Sequence, residues 1–172
     1  MGRAAHLILV GIPGAGKSTV GPLLAKRLQR PFLDLDEEIT RRAALSVRDI
    51  FATHGEAHFR ELERDATQQL ANAESPMVVA PGGGWITVRG LVDLVRPPSR
   101  LVWLQLSPAC ALAHLGKDVD SRPLLAGPDP LVSLTAILAA REVFYLQSDH
   151  AVSVESMTPD MVVEAIVALA RP

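Results

Sequence analysis

Apolar residues gather in five short runs. These are Leu7-Ile8-Leu9-Val10, the stretch Pro31–Asp36 with Phe32, Leu33 and Leu35, Met77-Val78-Val79-Ala80, Leu101 to Leu106, and Ala151-Val152-Ser153-Val154. Each has a strand's length and little alternation, the pattern of strands buried on both faces. The stretches between them carry apolar residues at helical spacing. Thr19–Leu28, Glu37–Ala44 and Glu56–Ala73 read as helices, the last with Phe59, Leu62, Ala66 and Leu70 in phase. Ser46 caps a shorter helix holding Val47, Ile50 and Phe51, and Gly55 breaks the chain after it. Leu91–Val95 stops at Pro97-Pro98, and Pro108–Leu115 ends at Gly116. Leu131–Tyr145 and Pro159–Ala170 complete the set. Strand and helix alternate throughout, which predicts an α/β protein: five parallel strands with helices on both faces, in three layers. Lys117–Pro130 holds three prolines and no period, so a mobile flap over about 116–130 is expected.

One junction changes this from architecture to chemistry. Between the first strand and the first helix lies Gly11-Ile12-Pro13-Gly14-Ala15-Gly16-Lys17-Ser18, a glycine, four residues, then Gly-Lys-Ser. In that context the pattern is a phosphate-binding loop, and the expected fold is that of the phosphate-loop nucleoside-triphosphate hydrolases. Gly14 and Gly16 permit backbone angles that aim successive N–H groups at one anion, and the helix start adds the positive end of its dipole. Gly14, Ala15, Gly16, Lys17, Ser18 and Thr19 are the candidate ATP contacts, with Lys17 reaching the β- and γ-phosphates and Ser18 a ligand of Mg²⁺. The second strand runs into Asp34 and Asp36. Residues two apart on a strand share a face, so both carboxylates would look into one cleft, one orienting Mg²⁺ through water and the other taking a proton from an attacking hydroxyl. A pair of acids opening a helix is the competing account. The third strand runs into Pro81-Gly82-Gly83-Gly84, a costly run of glycines that makes sense where a ligand comes close to backbone.

Bulk properties narrow the class. The 172 residues, 48% hydrophobic and 21% charged, fit one domain spanning 1–172. A net charge of −2 gives no reason to expect nucleic acid or an anionic membrane as partner. No apolar run reaches a membrane-spanning length, and the N-terminal one is too short for a signal peptide. The lone Cys110, expected in the core, allows no intrachain disulfide and suits a reducing cytoplasm. No Asn-Lys-x-Asp pattern occurs, against a GTPase, and the histidines lack metal-ligand spacing.

The assembled order of motifs resembles the shikimate kinase family. It comprises Gly11 to Gly21, Phe32-x-Asp34-x-Asp36, Gly55-Glu56-x-x-Phe59-Arg60-x-x-Glu63, Gly82 to Gly84, Arg122-Pro123-Leu124-Leu125, and Arg141 with Tyr145. The resemblance implies transfer of a phosphoryl group from ATP, with Mg²⁺, to the 3-hydroxyl of shikimate, in the route to chorismate and the aromatic amino acids. It implies a monomer in the cytoplasm, with a substrate-binding segment over about 35–63. Asp36 would be the base. Arg60 and Arg141 would grip the substrate carboxylate, and Glu63 would orient Arg60. Gly82, Gly83 and Gly84 would approach the ring, with Val47, Phe51 and Phe59 as an apolar wall. Arg122 would close with the flap onto the transferring phosphate. Asp34 would support Mg²⁺ through water, and His114 and Pro159 would flank the adenine. The chain departs from the family pattern at Pro81, where a small polar residue is usual, at His114, where an arginine is usual, and at Glu142-Val143-Phe144, which puts helix packing around Arg141 in question. A related small-molecule kinase, such as a gluconate kinase, and a non-catalytic sensor domain are the alternatives. The joint presence of Lys17, Ser18, Asp36 and Arg122 favours catalysis.

Overall fold

The computed structural model describes residues 4–125 and 127–170, with the backbone alone at 120 and 121. Position 126 of the expected flap therefore lies outside the described residues. Five parallel strands form one sheet in the order β2-β3-β1-β4-β5: β1 Leu7–Val10, β2 Phe32–Asp34, β3 Val78–Ala80, β4 Arg100–Gln105 and β5 His150–Ser153. All four residues of β1 and all three of β3 are buried, because these inner strands are covered on both faces. Leu7 pairs with Val78 on one side and Arg100 on the other.

Among the described residues seven α-helices connect and follow the strands: α1 Lys17–Leu28, α2 Leu35–Ala43, α3 Val47–Ala71, α4 Leu91–Val95, α5 Pro108–Leu115, α6 Pro130–Tyr145 and α7 Pro159–Ala170. α1 packs on α7, α2 on α3, and α5 on α6. Among the described residues no helix is long and apolar enough to cross a membrane. From β1 the chain crosses to β2 on one side, and from β3 it crosses to β4 on the other. Such a reversal opens a crevice beyond the strands' carboxyl ends, where the phosphate loop and the triple glycine both emerge.

Three expectations need correction. β2 ends at Asp34 and α2 begins at once, so Asp34 and Asp36 do not share a strand face. Asp34 is the N-cap of α2: its Oδ1 accepts from the N–H groups of Asp36 and Glu37, both at 3.1 Å. The flap is not patternless, since Gly116–Ser121 and Pro123–Leu125 form short 3₁₀ helices and Val119 and Leu125 are buried. Cys110 is half-buried, at the edge of the core. The Ser46 cap is present, its hydroxyl accepting from Asp49 N–H at 3.1 Å, and the two helical stretches after it join as α3 across a kink at Gly55, with φ 81°. Glu142–Phe144 leaves α6 unbroken, and Tyr145 is fully buried with its ring stacked on Trp103 at 5.5 Å.

Candidate functional site

A cleft of about 630 Å³ opens over the carboxyl ends of β1 and β3. Its floor is the phosphate loop. Gly14 holds φ +85° against the backbone carbonyl of Ala111, and Gly16, at φ +90°, is the N-cap of α1. At Gly14 a side chain has neither room nor angle, and at Gly16 the backbone angle alone would strain one. Lys17 Nζ donates to the carbonyls of Gly11 at 2.7 Å and Ile12 at 3.2 Å. Burial lowers its pKa to about 8, Arg122 and Arg141 push the same way, and Asp36 and Asp34 oppose them.

Ser18 and Thr19 are exposed along the cleft wall. Ser18 Oγ donates to Asp34 Oδ2 at 3.1 Å. Asp34 thus spends one oxygen on capping α2 and offers the other beside the loop. These are hard oxygen donors of the kind Mg²⁺ selects. Among the described residues no three His, Cys, Asp or Glu side chains cluster as a metal cage, so most ligands of such an ion must come from water and phosphate, as Mg²⁺ prefers. Asp36, on the first turn of α2, also faces the cleft; its Oδ1 is buried with no hydrogen-bond partner among the described residues. Burial raises its pKa, as does Asp34, while Lys17, Arg122 and Arg60 pull it down.

The flap and the last loop form the opposite wall. Arg122 is exposed there, between the buried Val119 and Leu125. His114 Nδ1 lies 3.1 Å from the Gly14 carbonyl, to which it donates, and Pro159 opens α7 at the cleft edge. Leu115, Met157 and Val162 complete the apolar end.

At one end of the cleft the triple glycine lies against three charged side chains. A Cβ on Gly82 would lie 2.8 Å from Asp36 Oδ1, one on Gly83 2.9 Å from Arg141 Nη1, and one on Gly84 2.9 Å from Arg60 Nη2 and 3.5 Å from Arg141 Nη2. Two guanidinium groups from distant helices therefore flank Gly84. Arg141 Nη1 is buried and has no hydrogen-bond partner among the described residues. Glu63 Oε2 accepts from Arg60 Nη1 at 2.8 Å, and Glu56 Oε1 accepts from Arg60 Nη2 at 3.0 Å. The rings of Phe51 and Phe59 meet at 4.9 Å, tilted by 41°, but Phe59 belongs to the core, and neither lines the cleft over the phosphate loop.

Two supports are not evident from the sequence. Trp85, buried directly after the glycines, donates its indole N–H to Thr67 Oγ1 at 3.0 Å, and Thr67 donates to the Glu63 carbonyl at 2.7 Å. This chain ties the glycine loop to α3. Glu56, the second partner of Arg60, was signalled only by its spacing of four residues on the helix.

One half of this site suits the phosphates of a nucleotide and the other a small anionic acceptor. Fold and site together define a phosphate-loop kinase of small molecules. The family model for shikimate kinase matches residues 13–171. A shikimate kinase from Moorella thermoacetica is 43% identical over 144 residues, covering 84% of this chain and 82% of its own. The crystal structure of a shikimate kinase from Acinetobacter baumannii in complex with shikimate is 30% identical, with a TM-score of 0.90, covering 96% of this chain and 92% of that one. A gluconokinase from Sinorhizobium meliloti is 21% identical with a TM-score of 0.63, a likeness of fold, covering 97% of this chain and 92% of its own. This chain belongs to the shikimate kinase family.

Proposed function

We propose that the protein transfers the γ-phosphoryl group of ATP to the 3-hydroxyl of shikimate, giving shikimate 3-phosphate and ADP. The observation that carries this is the pair of buried polar atoms, Asp36 Oδ1 beside Gly82 and Arg141 Nη1 beside Gly83, which have no hydrogen-bond partner among the described residues and lie next to a phosphate loop. Buried polar groups without partners cost stability, and a ligand with both a hydroxyl and a carboxylate satisfies them together.

Arg60 and Arg141 hold the substrate carboxylate by charge-assisted hydrogen bonds, with Glu63 and Glu56 fixing the Arg60 fork. Gly82, Gly83 and Gly84 let the ring approach backbone. The hydroxyl then lies against Asp36. As its oxygen bonds to the γ-phosphorus, its proton passes to Asp36, and the bond to the β–γ bridging oxygen breaks to release ADP. The raised pKa of Asp36 makes it a better proton acceptor than an exposed carboxylate. Lys17 and Arg122 meet the charge that spreads over the transferring oxygens. Mg²⁺, held by Ser18 and through water by Asp34, would neutralise phosphate charge when bound. Gly14 to Thr19 cradle the phosphates, and His114 and Pro159 flank the base. Closure of the flap excludes water, which competes with the hydroxyl for the phosphoryl group.

ADP release, coupled to NADH oxidation, tests this with shikimate, gluconate and no acceptor in parallel. Shikimate-dependent turnover is expected. Turnover with gluconate alone would transfer the protein to another acceptor class, and binding of both ligands without turnover would make it a sensor.

A further inference from the structure

Glu63 is the most deeply buried carboxyl in the site, with 1% of its side chain exposed. Its Oε2 is engaged by Arg60, while Oε1 is buried and has no hydrogen-bond partner among the described residues. Neighbouring hydroxyl and indole groups are committed elsewhere, since Thr67 donates to the Glu63 backbone carbonyl and Trp85 donates to Thr67. The charged groups facing Glu63 are Arg60 on its own helix, Asp36 from α2 and Arg141 from α6. Glu56, also on α3, faces the same guanidinium from its exposed side.

Arg60 is already crowded. Each of its three nitrogens donates to a carboxylate, Nη1 to Glu63, and Nε and Nη2 to Glu56. On the reading given under Proposed function, an acid substrate brings one more carboxylate to Arg60 and Arg141. Two guanidinium groups would then face four carboxylates: Glu56, Glu63, Asp36 and that of the substrate. Of these, Glu56 is exposed and screened by water, Asp36 also has Lys17 and Arg122 beside it, and the substrate's carboxylate is the group being gripped. Glu63 is shielded from solvent, and the two cations that face it, Arg60 and Arg141, are the two that the substrate's carboxylate would engage. A buried carboxylate whose pairing is weakened neutralises itself by binding a proton.

We propose that Glu63 is a proton-coupled positioning residue: it takes up one proton from solvent as the substrate's carboxylate docks against Arg60. The only bond formed is O–H on Glu63, which leaves Arg60 free to turn its charge on the substrate. Burial already lifts the Glu63 carboxyl to about 7 against the pull of Arg60, so the exchange falls in the neutral range. The sign follows. Below about pH 7 Glu63 is protonated with or without substrate, and affinity is flat. Above it, binding must draw a proton from solvent, and affinity falls as pH rises, by up to tenfold per pH unit.

Calorimetry of shikimate binding to the whole protein, at matched pH in phosphate and in Tris, tests this because the two buffers differ in ionisation enthalpy. The wild type should take up about half a proton per shikimate at pH 7, rising toward one by about pH 8, and its KM for shikimate should climb with pH while kcat does not follow. Glu63→Gln, which keeps an acceptor for Arg60, should bind shikimate with no proton exchange and a flat pH profile. ¹³C NMR of the glutamate carboxyls in the wild type provides a second measurement should that variant fold poorly: one buried carboxyl should titrate near neutrality and shift upward on adding shikimate. Binding with no proton uptake, the same uptake in Glu63→Gln, or a carboxyl unmoved by shikimate overturns the coupling alone. Absence of shikimate binding overturns the functional reading and the coupling with it.

Discussion

Gly83→Ala tests the site with a single methyl group. Gly83 does not occupy the left-handed region, so alanine fits its backbone without strain. The added Cβ would stand 2.9 Å from Arg141 Nη1, and 3.6 Å from the Gly11 carbonyl and Pro13 Cδ. The last two are ordinary contacts. The first is closer than about 3.5 Å, the lower end of comfortable separation, so the guanidinium must retreat by roughly half an ångström. It is the end of a flexible side chain, and it can move. Global stability should therefore fall by less than about 1 kcal/mol, a melting shift of less than roughly 4 °C for a chain of this size. The same small retreat spoils a charge-assisted hydrogen bond to the substrate, worth about 1.5–3 kcal/mol. That converts to a KM for shikimate about ten- to a hundredfold higher, with kcat and the KM for ATP little changed, since ground-state and transition-state binding lose the same contact. Coupled ADP release at saturating ATP, with shikimate varied, reads the effect, alongside a thermal melt. A shikimate KM within twofold of wild type would show that Arg141 does not grip the substrate where the structure puts it. A large loss of melting temperature would instead show that the loop cannot absorb the methyl.

Other perturbations separate the remaining roles. Asp36→Asn keeps shape and removes the base, so kcat should fall by about 10²–10⁴ while shikimate affinity, measured by calorimetry, changes by less than tenfold; near-normal kcat would exclude Asp36 as proton acceptor. Arg122→Ala should depress kcat far more than it weakens ATP binding, because the flap arginine meets charge that develops during transfer; an unchanged kcat would remove that role. His6 is buried, with Nε2 donating to the Leu70 carbonyl at 3.0 Å and Nδ1 accepting from Met77 N–H at 3.2 Å, so both nitrogens are spent in the neutral form. Burial holds its pKa below the ordinary 6.5, although the Leu70 carbonyl opposes. The unfolded chain therefore binds a proton that the native one resists, and stability should be flat above pH 6.5 and fall as pH drops below it. Melting curves of wild type and His6→Gln from pH 8 to 5 should diverge below 6.5, and parallel curves would discount His6.

Much of this was legible in the chain because the signals are local. β1 is an unbroken apolar run because both its faces are covered, and the glycine spacing of the phosphate loop follows from backbone angles that Gly14 and Gly16 alone can hold. The misplacement of Asp36 also has a local cause. Phe32, Leu33 and Leu35 read as one strand, which hides the junction at Asp34, although Asp34-x-x-Glu37 carries the signature of a helix start. Glu63 was placed with Arg60, but its burial was not read. The spacing was there, since Phe59, Glu63, Ala66 and Leu70 fall on one helical stripe and all four are buried. The flap is different. Its 3₁₀ turns have no long period, and they pack on α5 and α6 to either side, contacts that no periodicity in the segment announces. The meeting of Arg60 and Arg141 beside Gly84 is likewise a product of topology, beyond the reach of periodicity.

Of the buried side-chain atoms without a hydrogen-bond partner among the described residues, Asp36 Oδ1, Glu63 Oε1 and Arg141 Nη1 belong together. Each costs the fold about 1–3 kcal/mol relative to a satisfied group. An apolar plug in place of the glycines would remove part of that cost, and natural cores seldom leave such atoms so close to one another. Glycine at 82, 83 and 84 does the reverse: it clears space beside Asp36, Arg141 and Arg60 and presents backbone where a side chain would have screened them. The unmet hydrogen bonds thus point to one place, beside the phosphate loop, and their chemistry differs in a useful way. A guanidinium calls for an anion and a base calls for a hydroxyl. A buried carboxyl near neutrality can switch charge as the anion arrives. Stability lost in the free protein is recovered only by a ligand that supplies both groups at the right separation, so the same frustration that weakens the fold selects the substrate.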